Sequence, residues 1–366
     1  MLARAYGTTR ETLGLAPRCV CGRACRGYGQ PEGWTPLLVQ GVDMTSASGL
    51  PAVRESLRLA ILDAPRGGPV VVELAEAAVE HYALNYSRHA PAHLFDEVHS
   101  SRALLAEALG SPADDGTGRD LRRAAGWMSG LLGNLAFHLA DHSGARAHLA
   151  VAASLGEHTG DARLVAWALG AQSMLARSRR RLDAALSYAQ AGAERAPSPI
   201  VRAQLLGWAV LPSLAMLGRL SEAERALGEA ASLMDAAEEE PGRFGFDAAE
   251  LALHEAEAWL ALGRTDRAVI RAEASVAACV PYTPGWAAAT LTLARAEALG
   301  QPGDSAARAL DVLECIPAAR LRSTSRDRLK VLVGALGDAD IATVRDLHER
   351  ARTLPPPIDI HGRSTA

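Results

Sequence analysis

Aromatic residues supply 4% of this 366-residue chain, and lysine occurs once, at Lys330. Segments rich in Val, Ile or Thr with period-two alternation are scarce, which argues against a sheet. No wholly apolar run reaches ~18 residues and no secretory leader pattern is present, so a cytoplasmic chain with reduced thiols is expected. No Gly-rich loop ends in Gly-Lys-Ser/Thr, and no G-x-G-x-x-G follows a strand, so the phosphate-cradling motifs are missing. The 49% hydrophobic content is carried mainly by Ala and Leu. Both are strong helix formers, and Ala lets helices approach closely.

A net charge of −4 gives no global drive toward nucleic acid. Residues 1–30 nevertheless hold five Arg against one acid, Glu11. A basic arm on an acidic body suits a terminus that faces nucleic acid, and a basic disordered tail accounts for it equally well.

Candidate chemistry is thin. In "GWMSG" the spacing of Ser129 from the first Gly is wrong for a nucleophile elbow, and the context is helical. "HLADH" sets His138 and His142 four apart, as in zincins, but Leu139 stands where the catalytic Glu is needed. Pro91 interrupts any shared helix face for His89 and His93. Cys19, Cys21 and Cys25 form one unpaired C-x-C-x3-C set, where structural zinc usually shows two Cys pairs. They read as incidental linker cysteines, and Cys279 and Cys315 as small core residues. Arg177, Arg179, Arg180 and Arg181 form a cluster at an interhelix turn; a solvated charge cluster is the ordinary reading and a phosphate grip the sharper one. No enzyme, metal or cofactor is expected.

What is present is a phrase that recurs about every 40 residues. An apolar helical run ends at a small or polar pivot, and five residues later a small residue, most often Ala, opens a second helix. The pivots are Ala140, Arg180, Gly218, Gly263, Gly300 and Gly337, spaced 40, 38, 45, 37 and 37 apart. Such a period signals stacked supersecondary units. In the copy around Gly263, Leu251, Ala258 and Leu262 share one face, Gly263 closes the helix, and Thr265 or Asp266 caps the next. Ala268, Val269, Ala272, Val276 and Cys279 then form a stripe that needs a neighbouring pair to cover it.

The organisation expected from these patterns is an unperiodic linker over 16–69 with a short helix from Leu50 to about Asp63, then helical repeats over 70–353. Helices at about 70–87 and 92–109 should form an antiparallel pair, and the polar stretch 110–118 should be mobile. The proline-rich 354–366 is expected to be a disordered tail.

The turn Gly, the Ala five residues on and the small residue seven beyond (Ala230 after Ala223, Ser275 after Ala268) resemble the tetratricopeptide repeat family. Arg180 in place of Gly and the long intervals depart from it. The resemblance implies an all-α solenoid whose first helices line a concave groove. Carried over by position, the groove candidates are Trp127, Asn134, Trp167, Met174, Arg177, Trp208, Glu250 and Glu257. Aromatic, amide and charged groups in a concavity suit a protein, peptide or small-molecule ligand. Equally, the tryptophans read as wedges between repeats.

Leu2–Leu15, "LARAYGTTRETLGL", resembles the last helix and closing turn of Cro/repressor-type (XRE) helix-turn-helix domains. Regulators of that kind often join the domain to a tetratricopeptide-like sensor. The recognition helix that enters the major groove would precede Met1. The resemblance therefore implies a sensor or interaction module that binds DNA only through an upstream domain, with a homodimer compatible and no membrane partner. The alternative is a stand-alone scaffold joining proteins.

Overall fold

The computed structural model describes residues 49–110, 112, 114–236 and 246–356. The expectations for Leu2–Leu15, Cys19, Cys21, Cys25, most of the linker and nearly all of the tail lie outside them.

The recurring phrase is a turn. Ala140, Arg180, Gly218 and Gly263 all adopt a left-handed backbone, with φ of 65°, 58°, 73° and 69°. In each case the next amide reaches back five residues to a carbonyl of the first helix. Asp141 donates to Ala136 at 2.9 Å, Arg181 to Ala176 at 2.9 Å, Arg219 to Leu214 at 3.0 Å and Arg264 to Trp259 at 2.8 Å. This is the Schellman closure, which satisfies carbonyls left without helical partners. The Ala five residues after each pivot, at 145, 185, 223 and 268, is buried to 1% or less. A larger side chain there would hold the two helices apart.

Two of the six pivots differ. Gly300 has no left-handed φ. There Gln301 bonds Glu297 at 2.8 Å, one residue shorter, and Ser305 replaces the Ala and donates to the Ala294 carbonyl. Gly337 has a positive φ of 53° but a ψ of −147°, and leads into an extended connection instead of the five-residue return.

Fifteen helices result among the described residues. Three precede the regular phrase: α1 (Leu50–Asp63), α2 (Pro69–Leu84) and α3 (Pro91–Leu109). Six sequential pairs follow. They are α4 (Asp115–His138) with α5 (His142–Thr159), α6 (Ala162–Ser178) with α7 (Leu182–Glu194), and α8 (Pro199–Met216) with α9 (Leu220–Asp235). Then come α10 (Ala248–Ala261) with α11 (Thr265–Ala278), α12 (Pro284–Glu297) with α13 (Pro302–Cys315), and α14 (Ser323–Leu336) with α15 (Ala342–Arg352). Each pair packs on the next, the pattern of a repeat-like helical array.

Helix starts follow local chemistry. Proline occupies the first turn of α1, α2, α3, α8, α12 and α13, where its missing N–H costs nothing. Asp114, Asp141, Asp161 and Asp247 cap α4, α5, α6 and α10 through their carboxylates. Neither Thr265 nor Asp266 caps α11. The residue after the left-handed pivot, Arg264, takes that position, so both lie inside the helix.

Other expectations need correction. Helices α2 and α3 form little of a pair, because α1 packs against both and both continue onto α4. The linker helix is thus part of the core, with Leu50 and Leu57 fully buried. The stretch expected to be mobile is structured from Asp114 onward, where Asp114 accepts from the Thr117 amide and hydroxyl. Helix α8 is long and apolar enough to cross a membrane by length and composition, but most of it is buried within the array.

The turn geometry yields a prediction. A Cβ on Gly218 would meet nothing within 4 Å, so Gly218→Ala should cost about 1 kcal/mol through backbone strain alone. Ala140→Gly should do the reverse, stabilising by about 0.5–1 kcal/mol. Urea denaturation of the two variants checks both; shifts of the same sign would contradict the left-handed assignment.

Candidate functional site

The first helices of successive pairs lie side by side, and their close approach depends on two glycines. Trp127, Trp167 and Trp208 lie in series with their rings tilted against one another, the centroids 6.4 and 5.9 Å apart. A Cβ on Gly130 would sit 3.1 Å from the Trp167 ring, and one on Gly170 would sit 2.8 Å from Trp208. Each tryptophan therefore fills the space above the glycine three residues after its predecessor. Trp127 and Trp167 are only 3% and 4% exposed, and the Trp127 Nε1 donates to Asp161 at 2.8 Å. They are the wedges of the sequence reading and offer almost no free surface. Trp208 is half-buried against the same core.

Arg177 answers a defect in the neighbouring helix. Pro212 has no N–H for the Trp208 carbonyl four residues earlier, and α8 passes through a π-helical stretch, Leu206–Val210. The Arg177 guanidinium crosses from α6 and donates to the carbonyls of Trp208 at 3.1 Å and Ala209 at 3.0 Å. The same group reaches Ser173 and Ser213 hydroxyls at 3.2 and 3.3 Å. Burial pulls its pKa down to about 10, with Glu257 opposing. The arginine that looked like part of a surface cluster is an internal tie between two repeats. Arg179, Arg180 and Arg181 are exposed, as the solvated reading of that cluster requires.

Around this tie a charged cluster assembles from α4, α6, α10, α12 and α14. The Arg328 Nη2 lies 2.7 Å from Glu257, and its Nε donates to the same carboxylate at 2.9 Å. His254 Nδ1 is 3.6 Å from the other Glu257 oxygen, beyond hydrogen-bond range. Burial pushes the Glu257 carboxyl up, but Arg328, then His254 and Arg295, overcome it and hold the group well below the ordinary range. Glu250 on the same helix is exposed at its surface, though protein atoms crowd around its carboxyl. That enclosure, with Asp247, pushes it up to about 8 against Arg322. Met174 is partly buried against Phe137 and Leu175.

The cluster spans the two ends of the array. The short 3-10 turn Ala318–Arg320 and the start of α14 dock on the α2–α3 connection and the end of α4. Arg320 donates to the Ser87 carbonyl at 3.3 Å, Arg322 to the Tyr86 carbonyl at 3.2 Å, and Ser323 to the Phe137 carbonyl at 2.9 Å. The Arg322 guanidinium also lies 4.1 Å over the Tyr86 ring. Burial drives Tyr86 up to about 12 and His138 well below its ordinary value, the latter helped by Arg322 and Arg328. The last pair thus closes onto the first. Tyr86 Oη, Asn134 Oδ1, His138 Nδ1 and His254 Nδ1 are buried here without a hydrogen-bond partner among the described residues.

Of the eight groove candidates, Arg177 and Glu257 enter the cluster's bonds and ion pairs, while Glu250 and Asn134 belong to its surroundings. Trp208 contributes its carbonyl. Tyr86, His254, Arg295, Arg322 and Arg328 were not singled out. His254 had a signal, lying four residues after Glu250 and three before Glu257; Arg295 comes from the neighbouring pair, and Tyr86, Arg322 and Arg328 are brought in by closure across 71 residues or more.

Other motifs lie elsewhere. Ser129 is fully buried, donates to the Ala125 carbonyl at 2.7 Å and accepts from Arg102 at 3.1 Å. His138 and His142 both pack on the Phe137 ring. No group of three His, Cys, Asp or Glu residues among the described residues is placed to hold a metal. No known family model matches the chain, and no curated protein is significantly similar to it.

Two predictions follow from the cluster. Arg177→Met should destabilise by about 2–4 kcal/mol, because it strands two buried carbonyls. Pro212→Ala in that background should recover part of the loss by returning an N–H to Trp208. A double-mutant cycle in urea reads this, and strict additivity would separate the two residues. Glu257→Gln should cost about 2–3 kcal/mol at pH 7. Glu257 is depressed when folded, so its contribution is present above the unfolded value of ~4.3 and lost below it. His138 and His254 are also depressed, so on acidification the unfolded state takes up their protons first and stability falls below pH ~6.5. The wild-type advantage over Glu257→Gln should therefore shrink toward pH 4; a constant difference would exclude the ion pair as its source.

Proposed function

We propose that this chain is the sensing and interaction module of a Cro/repressor-type (XRE) helix-turn-helix transcriptional regulator, an α-solenoid of tetratricopeptide-like pairs acting in the cytoplasm without catalytic chemistry. A peptide, protein segment or small molecule occupies its inner face. One observation carries this reading: the first helices converge on a charged inner cluster in which four polar atoms are buried without a hydrogen-bond partner among the described residues. Buried polar groups in native proteins are nearly always bonded, so such a concentration favours a site completed by water or an occupant. The Leu2–Leu15 resemblance supplies the link to DNA.

The same arginines serve the cluster and the closure. Arg322 and Arg328 tie α14 to Tyr86 and Glu257. An occupant that takes over these guanidinium contacts binds the open array better than the closed one, and that difference in affinity shifts the population. The change in curvature then repositions an N-terminal DNA-binding domain.

Arg322→Ala with Arg328→Ala should enlarge the radius of gyration in small-angle X-ray scattering while far-ultraviolet circular dichroism stays unchanged; an unaltered radius removes the proposed switch. For the regulator itself, a chain extended upstream in its reading frame should give a sequence-specific electrophoretic shift on duplex DNA from its own promoter region. Absence of any specific duplex binding by the extended chain would transfer the reading to a stand-alone scaffold.

A further inference from the structure

A cavity of about 640 Å³ lies between α5, the end of α6 and α7. It falls within the range of about 300–1,000 Å³ found for small-molecule sites. Its polar lining has one sign. Arg146 comes from α5, and Arg179 and Arg181 from either side of the α6–α7 pivot. The left-handed conformation of Arg180 is what sets its two neighbours at the same opening. No carboxylate lines the cavity among the described residues. Asp141, which directly precedes the lining His142, is turned onto the α5 amides and accepts from Gly144 at 2.8 Å.

These arginines are not tied up elsewhere. Among the described residues, none of the three side chains makes an ion pair or a hydrogen bond, whereas fifteen ion pairs engage other basic groups of the array. Three uncompensated guanidinium groups around one concavity repel one another and are relieved by an anion. His142 also lines the cavity, and its Nδ1 is buried without a partner among the described residues. The floor is apolar, with Leu175 and Ala176. Tyr188 stands at the rim, 41% exposed, and Gln172 adds an amide.

We infer that this cavity is a second, anion-selective site that takes a phosphorylated small molecule of nucleotide size. Guanidinium forks match phosphate oxygens in pairs, which favours phosphate over a lone carboxylate. The three charges suit a di- or triphosphate. The exposed Tyr188 ring offers a face for a planar base, and the Gln172 amide offers a donor and an acceptor to its edge. None of the lining residues makes the closure's hydrogen bonds or ion pairs, and failure of this site would leave the regulator reading untouched.

The probe is a fluorescent N-methylanthraniloyl derivative of ADP, titrated into the full chain and followed by anisotropy. Saturable binding is expected, competed by inorganic pyrophosphate and weakened by added salt. Arg146→Gln and Arg181→Gln should each weaken it by about tenfold or more. Arg146, Arg181 and Tyr188 are all exposed, so the variants should keep wild-type circular dichroism. Tyr188→Ala should weaken the nucleotide probe and leave the competing strength of pyrophosphate unchanged. The inference is overturned if the folded protein binds neither probe nor pyrophosphate, or if the arginine variants bind both as the wild type does. It is equally overturned if random-sequence duplex DNA binds more tightly than the nucleotide and loses that binding in the same variants, since the arginines would then be a nucleic-acid contact.

Discussion

The bond from the residue after each left-handed pivot, back across five residues to the first helix, sets the geometry on which the array depends. It fixes the angle at which the second helix leaves and places an Ala at the point of closest approach. The same turn recurs at Ala140, Arg180, Gly218 and Gly263, so successive pairs present equivalent faces to their neighbours. Stacking follows because neither helix of a pair can cover its apolar stripe alone. The first helices then form a layer, and charged side chains on that layer are delivered to a common interior. A non-Gly residue at two of these turns shows that packing overrides an unfavourable backbone of roughly 1–2 kcal/mol.

That interior departs from the apolar core expected of a stacked array. Arg177, Glu257, His254 and Arg328 occupy positions where ordinary packing would place Leu or Ala. Such groups carry a desolvation penalty that their mutual attraction offsets only in good geometry. One of them, Arg177, repairs the carbonyls exposed by Pro212; others join the ends of the array. Polar interiors of this kind trade stability for a particular arrangement, and here the arrangement is closure.

How far the sequence revealed this depends on distance along the chain. The pivots were legible because their signal is local: a turn residue, an Ala five later, a fixed period. Gly300 falls in the turn between two helices as its place in the phrase requires, but a Gly there does not itself impose a left-handed backbone. The tryptophan ladder was half legible. The phase of Trp127 and Trp167 was visible, but the meaning of Gly130 and Gly170 lies in what the next helix brings over them. Glu257 and Arg177 were reached by position on the first helices, whereas Arg322 and Arg328 meet Tyr86 and Glu257 only after the chain has come round. A hydrophobic period carries no trace of such contacts. The helix over Leu50–Asp63 was legible, but its packing against both α2 and α3 was not, because a local pattern does not say which neighbours a helix will meet.

Closure also bears on how this architecture can vary. In an open array each repeat interacts only with its neighbours, so units can be gained or lost at little cost and the ends fray first. Here Ser323 reaches Phe137 across 186 residues, and Arg322 reaches Tyr86 across 236. Deleting or duplicating a single pair would move α14 out of register with α4 and break those bonds. The number of repeats is thereby locked, much as strand number is locked in a closed barrel, and the terminal pairs share the fate of the middle when the chain unfolds.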